Sequence, residues 1–106
     1  MAERYTETVR GVPLQHRHKS FDVLVRGDGA LELYVDHCLR KRRERGEREP
    51  QYVWTNIELE WEEHHYIEAR LFASADQLVV TVNGEECFAG SPKPLALPDW
   101  LPRPDE

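Results

Sequence analysis

Two histidines and an aspartate stand close together near the start of the chain, as His16-Arg17-His18 followed by Asp22. Imidazole nitrogen with carboxylate oxygen is a donor set that suits iron, manganese or zinc. Alternate residues of an extended strand point the same way, so His16 and His18 could converge on one ion with Asp22 closing the set. The competing reading is a pair of solvated histidines in a linker ahead of the first strand. His64-His65, behind Glu62-Glu63, offers further nitrogen donors. Adjacent residues diverge on an extended chain, however, and a polar loop between two strands accounts for all four.

Flanked by Gly11 and Gly27, the His16/His18/Asp22 pattern resembles the first motif of the cupins. There a glycine, a His-x-His pair, an acidic residue and a closing glycine face a divalent metal inside a small barrel. The resemblance implies a metal-dependent enzyme with His16, His18 and Asp22 as ligands. It covers Gly11 to Gly27 only. Asp22 stands where the family has glutamate, the intervals on both sides are short, and no second cupin motif follows.

A second constellation is aromatic. In the segment from Tyr52 to Trp61, Val53, Ile57, Leu59 and Trp61 form an apolar side, and Tyr52, Trp54, Asn56, Glu58 and Glu60 form the other. Tyr66 or Phe72 would join Tyr52 and Trp54 across a hairpin, with Arg70 on the same outward face. Tyrosine and tryptophan on a solvent-facing sheet mark contact surfaces, because exposed apolar patches are uncommon in monomers. The same rings could lie under a sugar whose hydroxyls bond Asn56, Glu58 or Arg70. A covering layer, such as the proline-rich tail, is the plain alternative.

A third feature is the run from Arg40 to Glu49, where six cations against three anions leave a local +3. The whole chain has a net charge of −6, so the remainder carries −9. That remainder disfavours general nucleic-acid binding, and no aromatic lies within the run to stack on bases. Finger-to-acidic-face docking between two copies is another use for such a segment. Nucleophilic catalysis finds no support. Ser20, Ser74 and Ser91 lie in no nucleophile-elbow context, and Cys38 diverges from its neighbour His37 on a strand. A phosphate-cradling glycine loop and a CxxC pair are both missing from the sequence.

These residues must be positioned by strands, because period-2 alternation recurs and helical periodicity hardly does. Phe21, Val23 and Val25 alternate up to the Gly27-Asp28-Gly29 turn, Leu31, Leu33 and Val35 return, and Cys38 to Arg40 makes a short third strand. In the second half, Tyr66 to Ala73, Gln77 to Val82 and Glu85 to Phe88 repeat the plan around Ser74-Ala75-Asp76 and Asn83-Gly84. Asn-Gly is the strongest hairpin signal in the chain. Facing parity between Tyr52–Trp61 and its partner predicts a five-residue loop, Glu62 to Tyr66, with Trp61 opposite Ile67, Ile57 opposite Leu71 and Glu58 opposite Arg70.

The expectation is therefore an all-β protein: a small antiparallel β-sandwich or flattened barrel of about seven strands built from two meanders. It would form a single domain over 1–90 with a Pro-rich extended tail over 91–106, packed on the domain or on a partner. With 40% apolar and 32% charged residues the composition is globular. No apolar run reaches the ~20 residues of a membrane span. The polar Met1–Arg10 segment lacks an export signal's apolar stretch, pointing to the cytoplasm and to reduced thiols at Cys38 and Cys87. The leading functional expectation is a non-catalytic interaction module without a cofactor, self-associating through the face of Tyr52, Trp54, Asn56, Glu58, Arg70 and Phe72. The alternatives are a cupin-like enzyme with one divalent metal ion and a lectin-like carbohydrate binder.

Overall fold

The computed structural model describes residues 9–60, 63–96 and 98–101. Strands β1 (Val9–His16), β2 (Lys19–Val25), β3 (Leu31–Val35), β4 (Cys38–Arg43), β5 (Gln51–Glu60), β6 (Glu63–Phe72), β7 (Gln77–Val82), β8 (Glu85–Gly90) and β9 (Lys93–Leu95) form two antiparallel sheets. One has the order β4-β3-β2-β1-β9 and the other β5-β6-β7-β8. Each is a meander, and β9 adds to the first sheet from the far end of the chain. No helix among the described residues is long and apolar enough to cross a membrane.

Alternation puts Phe21, Val23, Val25, Leu31, Leu33 and Val35 of the first sheet against Val53, Ile57, Ile67, Leu71, Leu78, Val80 and Val82 of the second. Removing each such side chain from water is worth about 1.5–3 kcal/mol, and this shared core holds the layers together.

Nine strands among the described residues exceed the seven expected, and the two additions are β1 and β9. Gly11 and Pro13 hide β1, because both residues weaken a strand reading. The structure explains each. A Cβ on Gly11 would lie 2.5 Å from the Val23 carbonyl oxygen and 2.6 Å from Leu24 Cδ2, so only glycine lets β1 approach β2. Pro13 lies beyond the span of β9, which pairs only with Val9, Arg10 and Gly11, so its missing N–H disrupts no pairing with β9. β9 itself contains Pro94, at a sheet edge where proline is tolerated.

The β5–β6 hairpin corrects the expected register. The strands run to Glu60 and from Glu63, pairing Ile57 with His65, Tyr52 with Arg70 and Glu58 with His64. The five-residue loop and the Ile57–Leu71 and Glu58–Arg70 pairs are therefore overturned, with a bulge between Glu58 and Glu60, and Trp61, expected opposite Ile67, lies outside the described residues. In the expected register Tyr52 would sit opposite the turn after Ala73, and the first half of β5 would lose its ladder bonds. The observed register pairs nearly the whole of both strands. The shift is an even number of residues, so side chains keep their expected faces.

The outer face of the five-stranded sheet is covered by the chain's own end. Leu101 is buried with Val9, Leu24 and Tyr34, and Leu95 and Trp100 pack on them. Trp100 stacks flat on His37 with ring centroids 4.5 Å apart and meets Tyr34 edge-on at 5.1 Å. Beside this layer lies a buried carboxylate, Glu32. It accepts hydrogen bonds from Tyr34 Oη at 2.9 Å, from Arg26 at 3.2 Å and from Arg42. Two guanidinium groups compensate the buried charge, and removing either would leave it short of partners. Burial and the Glu32 hydrogen bond push the Tyr34 phenol up to about 12.

Candidate functional site

The outer face of the four-stranded sheet has no such cover among the described residues. Tyr52, Trp54, Asn56 and Glu58 of β5 and Tyr66, Glu68, Arg70 and Phe72 of β6 share this face by alternation. Trp54 and Tyr66 are 44% and 49% exposed, with ring centroids 6.0 Å apart and a 50° tilt. They line an open depression of about 560 Å³ with Tyr52, Glu68, Asn83 and Gly84.

Each aromatic is held by backbone or charge. The Tyr66 N–H donates to Asn83 Oδ1 at 2.8 Å, and the Asn83 N–H donates back to the Tyr66 carbonyl at 2.8 Å. Asn83 and Gly84 both take positive φ, as a tight β7–β8 turn requires. Glu68, opposite Trp54 in the ladder, organises the centre. It accepts from Tyr52 Oη at 2.5 Å and from Thr81 Oγ1 at 3.3 Å, and Arg70 lies 3.6 Å away. The Arg70 guanidinium in turn covers the Tyr52 ring at 4.7 Å. The Glu68 hydrogen bond raises the Tyr52 phenol above its ordinary value. Phe72 stands at the far end of the face, opposite Gln77, and is half-buried.

Basic side chains reach this face from the neighbouring sheet. Lys41 Nζ lies 5.7 Å from the Trp54 ring centroid, within cation–π range. Arg40 donates to the Asn56 carbonyl at 3.0 Å. Lys41, Arg42 and Arg43 share a second depression with Tyr52 and Trp54. The Arg40–Glu49 run read as separate from the aromatics in sequence. In the fold they adjoin, because β4 is the edge strand beside β5. Glu68 and Thr81 went unmarked in the sequence, whereas Lys41 was read only as part of the basic run and Asn83 only as a turn residue.

The sequence's metal candidates are distributed differently. His16 ends β1 and points between the sheets, where its Nε2 lies 2.8 Å from His65 Nδ1 of β6. His65 Nε2 lies 3.0 Å from Glu63, which also takes a salt bridge from Arg17 at 2.9 Å. A carboxylate only accepts, so neutral His65 carries its proton on Nε2 and takes a hydrogen bond from His16 Nε2–H at Nδ1. Burial first, then His65 and Arg17, hold the His16 pKa below its usual value. His18 sits exposed in the β1–β2 turn. Asp22, opposite Pro13, lies on the other face of the sheet, its pKa raised by burial against the opposing pull of His37. Among the described residues no three His, Cys, Asp or Glu side chains are grouped to hold a metal ion. Cys38 and Cys87 are free, exposed thiols on different sheets.

Comparison with protein-family models, with curated proteins and with solved structures gave no match in any of the three.

Proposed function

We propose that this protein is a non-catalytic interaction module that self-associates through the outer face of the four-stranded sheet. The observation that carries the reading is the asymmetry between the two outer faces. One is sealed by Leu95, Trp100 and Leu101, while the other presents Trp54 and Tyr66 side by side. Tryptophan, tyrosine and arginine are the side chains that anchor protein interfaces, and all three meet here. The polar centre supports binding rather than reaction chemistry, since Glu68 is already engaged by Tyr52, Thr81 and Arg70.

Carbohydrate binding ranks behind for two reasons. The 50° tilt between Trp54 and Tyr66 offers no common plane for a pyranose. Glu68 is also already held by Tyr52 and Thr81, so its carboxylate is oriented within the sheet rather than toward a sugar. A reducing, cytoplasmic setting is part of the proposal, because two exposed free thiols would otherwise cross-link the copies.

The test is light scattering on the Trp54→Ala/Tyr66→Ala double variant beside wild type. The proposal expects wild type to assemble and the folded variant to run as a monomer. Equal masses for the two would remove the aromatic pair from any interface.

A further inference from the structure

The exposed face is electrically polarised across its strands. On the β5 side stand Lys41, over Trp54, and Arg40 and Arg43 of the adjoining β4, three cations beside the single outward carboxylate that β5 shows among the described residues, Glu58. On the β8 side stands Glu86, exposed and without a basic partner among the described residues, while Glu85, opposite the core residue Val82, belongs to the other face. Glu86 is opposite Thr81, whose hydroxyl bonds Glu68 on the outer face, so the register puts Glu86 at that face's acidic rim. Trp54 and Tyr66 lie between the two rims.

Two copies meeting face to face are related by a two-fold axis lying in the plane of contact. If that axis ran across the strands, each basic rim would lie over the other copy's basic rim, and like charges would repel. If it runs along the strands, left and right exchange, and each basic rim lies over an acidic one. Opposed charges fix register and exclude the repulsive alternative.

Resting on the self-association proposed above, we infer that the occupant of this face is a second copy, docked about a two-fold axis parallel to the strands. Lys41 of each copy then pairs with the acidic β8 rim of the other, around a centre made by both Trp54–Tyr66 pairs. Four strands at about 4.8 Å spacing give a projected face of roughly 500 Å², more with side-chain relief. That is near the lower end of specific interfaces, about 600 Å² per partner, and suits a weak, concentration-dependent dimer. The arrangement also gives the basic run a role in an otherwise acidic chain.

The experiment is charge reversal with mixing. Lys41→Glu and Glu86→Lys are made separately, checked for fold by circular dichroism, and run alone and as an equimolar mixture in sedimentation velocity. Each variant alone should dimerise at least about tenfold more weakly than wild type. The mixture should recover wild-type affinity, since every rim contact is again between opposite charges. A mixture as weak as its components overturns the proposed axis. Single reversals that dimerise like wild type also overturn it, and loss of the dimer in Trp54→Ala would then keep the aromatic face as the interface. A wild-type protein that is monomeric throughout overturns the axis and the self-association together.

Discussion

His16 Nε2 and His65 Nδ1 lie 2.8 Å apart and join the two sheets near the β1–β2 and β5–β6 turns. The contact requires at least one neutral ring, because two imidazolium groups present only donors to each other. Burial first, then His65 and Arg17, oppose positive charge on His16.

A pH dependence follows. Folded His16 has a pKa below the 6.5 of the free side chain. The unfolded chain therefore takes up a proton there before the folded one does. Stability is full above about pH 6.5 and falls as the pH drops through that value toward the folded pKa. Urea unfolding at pH 7.5 and pH 5.5 should show lower stability in acid, with a smaller difference in His16→Gln. An identical acid loss in that variant would contradict the assignment.

Gly11→Ala should destabilise the domain. The new methyl would meet the Val23 carbonyl and the Leu24 side chain at non-bonded distances that neither backbone can accept without shifting. Overpacking of this kind costs about 1–3 kcal/mol. Urea denaturation of the variant reads it directly, and wild-type stability would mean that β1 and β2 are not this close.

The C-terminal segment should behave as part of the fold. Leu101→Ala removes a buried side chain from the layer over Val9, Leu24 and Tyr34, at a cost of about 2 kcal/mol or more. The melting temperature should fall accordingly. No change would show that the segment lies on the sheet without contributing to stability.

Much of this was legible from residue alternation, and the exceptions have identifiable causes. Phe21, Val23 and Val25 against Leu31, Leu33 and Val35 needed nothing beyond period 2, and the same parity assigned Tyr52 and Trp54 to one face. Register was not legible, because a shift of an even number of residues leaves every face unchanged. His64 and His65 read as loop by composition but belong to β6, where alternation sends His65 inward to His16. β1 and β9 were masked by Gly11, Pro13 and Pro94, each tolerated for a reason that only tertiary neighbours supply. Lys41 over Trp54 is a contact between sheets, and strand pattern carries no information about which sheet edges adjoin.

The central claim is that the Trp54–Tyr66 face binds a second copy of the chain. Sedimentation equilibrium of wild-type protein from about 1 µM to about 1 mM covers the affinities a face of this size supports. The account predicts a mass rising from one copy toward two over that range, and a rise abolished by Trp54→Ala. A mass of one copy at every concentration would contradict it.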